Sequence, residues 1–148
     1  MKEPHGEYLK LLEELAGKLS QLADIAREKV DSTRKGDLEV LDQCMKREQV
    51  LALSLRGIEL KRGKLLAEMG LQDVPLNQLY QHYPDDMHRQ AKEAVEALQI
   101  QFTRYQSAAT AARTVMEGAL RDIEKMMPEN QAPAPGEAPP NMRTDIRA

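Results

Sequence analysis

The sequence predicts an all-α protein: an elongated antiparallel bundle of three long helices, with a short helix in the connection between the second and third and a disordered C-terminal tail. Three observations predict it. Apolar residues recur three and four apart in three separate series, which places each series on one face of a helix. A Gly-Asp pair and a Pro-containing stretch divide the series from one another. The last 21 residues, PENQAPAPGEAPPNMRTDIRA, hold five prolines and no periodicity. Such a stretch cannot bury enough apolar surface to offset the entropy of ordering. The chain therefore divides into a helical domain, 1–127, and a Pro-rich tail, 128–148.

The first helix is predicted from about Glu7 to Arg34, striped by Tyr8, Leu12, Leu15, Leu19, Leu22 and Ala26. Acidic Glu7, Glu13 and Glu14 near its start and Arg34 and Lys35 at its end complement the helix dipole. Gly36 supplies a left-handed stop and Asp37 an N-cap, so the second helix must turn back antiparallel. That helix is predicted from the Asp37 cap to Met69, ending at Gly70. Its stripe is Leu41, Cys44, Glu48, Leu51, Leu55, Ile58, Arg62, Leu65 and Met69, with two charged members. Gly57 and Gly63 inside it each weaken a helix by about 1 kcal/mol against alanine. They read as points of close interhelical approach rather than as hinges.

Val74-Pro75 biases the connection out of helix. Leu76, Leu79, Tyr80 and Tyr83 then form a short helix that caps the open end of the bundle. The third helix is predicted to begin near Pro84, with Asp85 and Asp86 in its first turn, and to run to Met127, where Pro128 stops it. Its stripe is the longest: Met87, Ala91, Val95, Leu98, Phe102, Tyr105, Ala109, Ala112, Met116, Leu120, Ile123 and Met127. In the tail, Met142 and Ile146 among charges read as part of an inert segment rather than as a short contact motif.

Bulk composition narrows the function. One domain's worth of chain, 148 residues, is 41% hydrophobic but only 3% aromatic, which suits a slender bundle better than a thick globule. The net charge of −3 is spread evenly, so the sequence predicts no nucleic-acid partner. A basic run on the second helix (Arg56, Lys61, Arg62, Lys64) is interrupted by Glu59 and Glu68 and reads as a solvated face. Cys44 has no second cysteine to pair with and reads as a packing residue. MKEPHGEYLKLLEEL is too acidic for a signal peptide, and Val50 to Leu55 is far short of the ~20 apolar residues a membrane span needs. A soluble, cytoplasmic protein with no stable membrane insertion is expected.

Catalytic and metal chemistry find little support. His82, Asp85, Asp86 and His88 carry ligand-type atoms, but without His-x₃-His or paired-cysteine spacing they read as a polar loop and first turn. Ser54 and Ser107 have no sequence-near base, and the adjacent carboxylates Glu13-Glu14 and Asp85-Asp86 point to different sides of a helix. No enzyme, cofactor or metal is expected.

Lys35 to Leu71, KGDLEVLDQCMKREQVLALSLRGIELKRGKLLAEMGL, resembles the middle of flagellar type III export chaperones of the FlgN family. The shared features are a Gly-Asp-Leu-Glu-x-Leu start, a long charged helix and a Leu-Gly-like turn. Val74 to Tyr80 is similar to that family's short Leu-x-x-Leu helix, and the likeness extends over about residues 7–127. The resemblance implies a chaperone that binds hook-associated (hook–filament junction) proteins in the cytoplasm. It would prevent their premature assembly and deliver them to the export apparatus, using the C-terminal part of the last helix for cargo. The related chaperone for the filament cap protein and a cargo-free coiled-coil homo-oligomer are the alternative readings. The Ala-rich and Met-rich third seam favours an adaptable binding surface over self-pairing. Monomer and homodimer both stay open.

The predicted lengths point to where a partner docks. A third helix of about 44 residues exceeds a second of about 33 by roughly 11, or ~16 Å of rod. Its last turns should project past the first turn of the bundle, presenting Met116, Leu120, Ile123, Met126 and Met127 as a partner-binding stripe. Burial of the same stripe by a second copy or by a folded-back tail is the competing expectation.

Overall fold

The structure, a computed structural model, describes residues 3–127. The predicted tail, with Met142 and Ile146, lies outside the described residues. Three long helices dominate: α1 (Glu3–Lys35), α2 (Leu38–Met69) and α3 (His88–Met126). No strand occurs among the described residues.

The first turn of the bundle follows the local chemistry closely. Gly36 adopts φ 71°, and the amides of Gly36 and Asp37 bond the carbonyls of Thr33 and Ser32. The Asp37 carboxylate then accepts the Val40 amide at 3.2 Å, capping α2. At the other end Gly70, φ 70°, closes α2 with its amide on Ala67 and the Leu71 amide on Leu66. Leu71 and Leu66 both join the core, the apolar contact that accompanies this kind of cap. α1 begins at Glu3 rather than Glu7, because Pro4 in a first turn lacks only an N–H that has no helical partner there.

Two helix limits of the connection differ from expectation. Leu76–His82 forms a 3₁₀ helix, and Asp85–Met87 forms a separate 3₁₀ turn after an extended Pro84. α3 thus starts at His88, not near Pro84. It ends at Met126, since Met127 precedes Pro128 and is held extended at φ −78°, ψ 135°. Buried Leu79 and Tyr83 plug the end where α1 starts and α2 stops. There the Tyr83 hydroxyl donates to the His5 carbonyl at 2.9 Å.

α1 is the central helix, packing against α2 on one side and α3 on the other. Its buried arc is wider than one stripe, adding Leu9, Leu11, Ala16, Ala23 and Ile25 to the predicted seam. α2 is antiparallel to α1, and α3 runs back antiparallel to α2. Both charged members of the α2 stripe face α1 and find partners. Lys29 Nζ bonds both carboxylate oxygens of Glu48, at 3.0 and 3.1 Å, and Arg62 donates to the Tyr8 hydroxyl at 3.4 Å. Polar matches at seam positions penalise slippage of the hairpin by a turn.

Two expectations about packing fail. Gly57 and Gly63 have nothing within 4 Å of where a Cβ would stand, so neither marks a close helix approach. Phe102 is 48% exposed, while Tyr105 packs against the core and Ala112 is buried. A strict three-four repeat drifts across the face of a 3.6-residue helix, and Phe102 falls at the edge of the seam.

Candidate functional site

Cys44, His88 and Arg62 are each engaged by the fold. Cys44 is buried with its thiol 3.5 Å from a Glu28 carboxylate oxygen. Burial, then that carboxylate, pushes its pKa up, the opposite of what a nucleophile needs. His88 Nε2 lies 2.7 Å from the Tyr83 carbonyl and 3.6 Å from Asp85. The Arg62 guanidinium is disfavoured by burial, but its bonds to Tyr8 and Glu59 outweigh this and raise its pKa. Among the described residues no group of three or more His, Cys, Asp or Glu side chains could hold a metal ion. What the bundle offers is surface.

The free end of α3 is the longest part of that surface. Arg104 fixes the register of α3 on α1, donating to Ser20 Oγ at 3.0 Å and to Asp24 Oδ1 at 2.6 Å. Past that level α1 runs about 11 more residues to Lys35 and α3 about 22 to Met126, so roughly 11 residues, ~16 Å, extend beyond α1. The α1–α2 turn lies at the level of Lys35, so α2 offers no cover either.

Burial along α3 follows this geometry. Ala112 is its last buried residue, Met116 is half-buried, and every residue from Leu120 to Met127 is exposed. Leu120, Ile123 and Met126 stand 54%, 55% and 81% exposed. The five residues singled out from the sequence therefore sit on one projecting rod, with Met116 at its root. A second exposed series, Val50, Leu53 and Leu60 on α2, escaped the sequence reading. Its three-and-seven spacing was present, but the stronger seam of the same helix masked it.

No helix among the described residues is long and apolar enough to cross a membrane. Among curated proteins and among solved structures, none matches the chain. The FlgN family, described as FlgN protein, matches residues 6–128, which takes in all three helices and the connection between them. The family is one of flagellar export chaperones. By that match over most of its length, the chain belongs to the FlgN family.

Proposed function

We propose that this export chaperone works in the cytoplasm and binds hook–filament junction proteins along the C-terminal part of α3. The contact side chains in this reading are Met116, Leu120, Ile123, Met126 and Met127. An amphipathic terminal helix of the cargo lies along the stripe, which keeps it from associating with its own kind before export. Residues 1–127 are the working domain and 128–148 an appended tail.

One observation carries the reading: a row of large apolar side chains on a helix end that no other element among the described residues reaches. Water-facing stripes of this kind are rare in a monomer unless a partner covers them. Methionine suits the role, since its unbranched thioether repacks against partners of different shape. The charges around the stripe balance, with Glu117, Asp122 and Glu124 against Arg113, Arg121 and Lys125. Apolar contact therefore dominates over steering.

The test is a pull-down with the full chain as bait and a panel of purified export substrates: hook–filament junction proteins, filament cap protein and filament subunit. Retention of the junction proteins alone is the expected result. Retention of the cap protein instead would make this the cap chaperone. Retention of none, with a stable dimer in light scattering, would replace the reading with a self-paired coiled coil.

A further inference from the structure

A second apolar stripe runs along α2 on the side turned away from α1. Val50, Leu53 and Leu60 stand 67%, 67% and 78% exposed. With Gly57 they follow at steps of three, four and three, so they share one helix face, while Cys44, Leu51, Ile58 and Leu65 hold the face that packs on α1. Gly57 sits inside the stripe with open space where a Cβ would be, a notch through which another backbone can approach.

The charges beside this stripe are one-sided. Of the α2 cations, Lys46 pairs with Asp42, Arg47 with Glu28 and Arg62 with Glu59. Among the described residues Arg56, Lys61 and Lys64 close no ion pair, although Lys61 and Lys64 share a groove with Glu7, Glu14 and Glu68. These three flank the stripe and leave it apolar with a cationic rim.

We propose that this outer face of α2 is a second docking surface, for an acidic amphipathic helix of another protein. The partner's apolar ridge lies on Val50, Leu53, Gly57 and Leu60, and its carboxylates meet Arg56, Lys61 and Lys64. From Val50 to Lys64 the surface is about 21 Å long, matching roughly four turns of a partner helix. A second copy of this chain fits poorly, because two such faces would bring Arg56, Lys61 and Lys64 of each copy together, with carboxylates only at the edges, on Glu59, Glu68 and α1. A membrane also fits poorly, because the stripe is narrow and has none of the aromatic anchors that seat interfacial helices. The proposal stands apart from the cargo reading, since its residues lie on a different helix.

The test uses the full chain and three probes. One is a fluorescein-labelled helical peptide of about 18 residues with leucines on one face and glutamates beside them. The others are the same peptide with lysines for glutamates, and phosphatidylserine–phosphatidylcholine vesicles. The glutamate peptide should bind and the lysine peptide should not. Leu53→Asp with Leu60→Asp should weaken binding at least about tenfold. Arg56→Glu with Lys64→Glu should do the same for the glutamate peptide while creating affinity for the lysine peptide, a swap that a misfolded variant could not produce. The preference for the glutamate peptide, and its reversal by Arg56→Glu with Lys64→Glu, should also appear in a chain that carries Leu120→Asp with Ile123→Asp, where the α3 stripe can hold neither peptide. Equal binding of both peptides, no charge swap, co-sedimentation with vesicles, or a wild-type dimer that Leu53→Asp with Leu60→Asp dissolves would each overturn the proposal.

Discussion

Placing aspartate at both Leu120 and Ile123 separates a binding stripe from a core stripe. Each side chain is about half exposed in the free chain (54% and 55%), so a partner can cover about half of each. Full burial of such a side chain stabilises by about 1.5–3 kcal/mol, and half of that for each of two side chains is again about 1.5–3 kcal/mol for the pair. At about 1.4 kcal/mol per decade, affinity should fall roughly 10- to 150-fold, and further because two carboxylates would have to desolvate. Folding should hardly notice, since exposed substitutions stay within about 0.5 kcal/mol. Fluorescence anisotropy with a labelled terminal fragment of a hook–filament junction protein reads the affinity, and circular dichroism reads the fold. An affinity loss below about threefold would move the site elsewhere. Loss of helix or a large drop in melting temperature would show that the stripe is core.

Glu48→Ala strands the Lys29 ammonium against α2, so it should destabilise by about 1–2 kcal/mol, a drop of several degrees in a thermal melt, and Lys29→Met in the same chain should recover part of it. Gly70→Ala meets no atom within 4 Å, so its expected loss of about 1 kcal/mol in urea unfolding is backbone strain at φ 70° alone. Burial, with a smaller contribution from Tyr8, raises the Tyr83 pKa above the free value of 10.0. Its stabilising effect is therefore complete below that pH and fades as pH climbs past it, where the unfolded phenol ionises first. Melting temperatures between pH 8 and 11 should fall less steeply for Tyr83→Phe than for the wild-type chain. Removing residues 128–148 should leave the melting temperature within about a degree; a drop of many degrees would show that the tail packs on the bundle.

Local signals in the sequence were reliable where backbone chemistry leaves little choice. Gly36 and Gly70 sit at positive φ and Asp37 caps α2 because few residues do these things. Seam residues such as Leu12, Leu51, Ile58 and Val95 are buried because an apolar stripe on a helix has to be covered by something. Relations between helices were harder to read. That α1 is central was written in its double stripe, with Leu9, Leu11, Ala16 and Ile25 beside the seam, but an arc that wide shows only that two neighbours exist. Gly57 looked like a packing site because glycine between apolar residues can face a neighbour or solvent, and only tertiary contacts decide which. Pro84 was a fair helix start by propensity, yet three residues of 3₁₀ structure intervene because the chain must still turn around Tyr83. The projecting end of α3 was inferred from helix lengths against α2. The later start at His88 shortens α3, but the Arg104 bonds to Ser20 and Asp24 set its register on α1 so that about three turns still project.

Hydrogen–deuterium exchange on the full chain, alone and with a junction-protein fragment, tests the central claim most directly. Alone, the amides from Leu120 to Met126 should exchange fastest within α3, because no neighbour among the described residues shields that stretch. With the fragment bound, protection should appear over residues 116–127 and nowhere along the α1–α2 hairpin. Protection confined to α1 and α2, with the end of α3 still exchanging freely, would contradict the account.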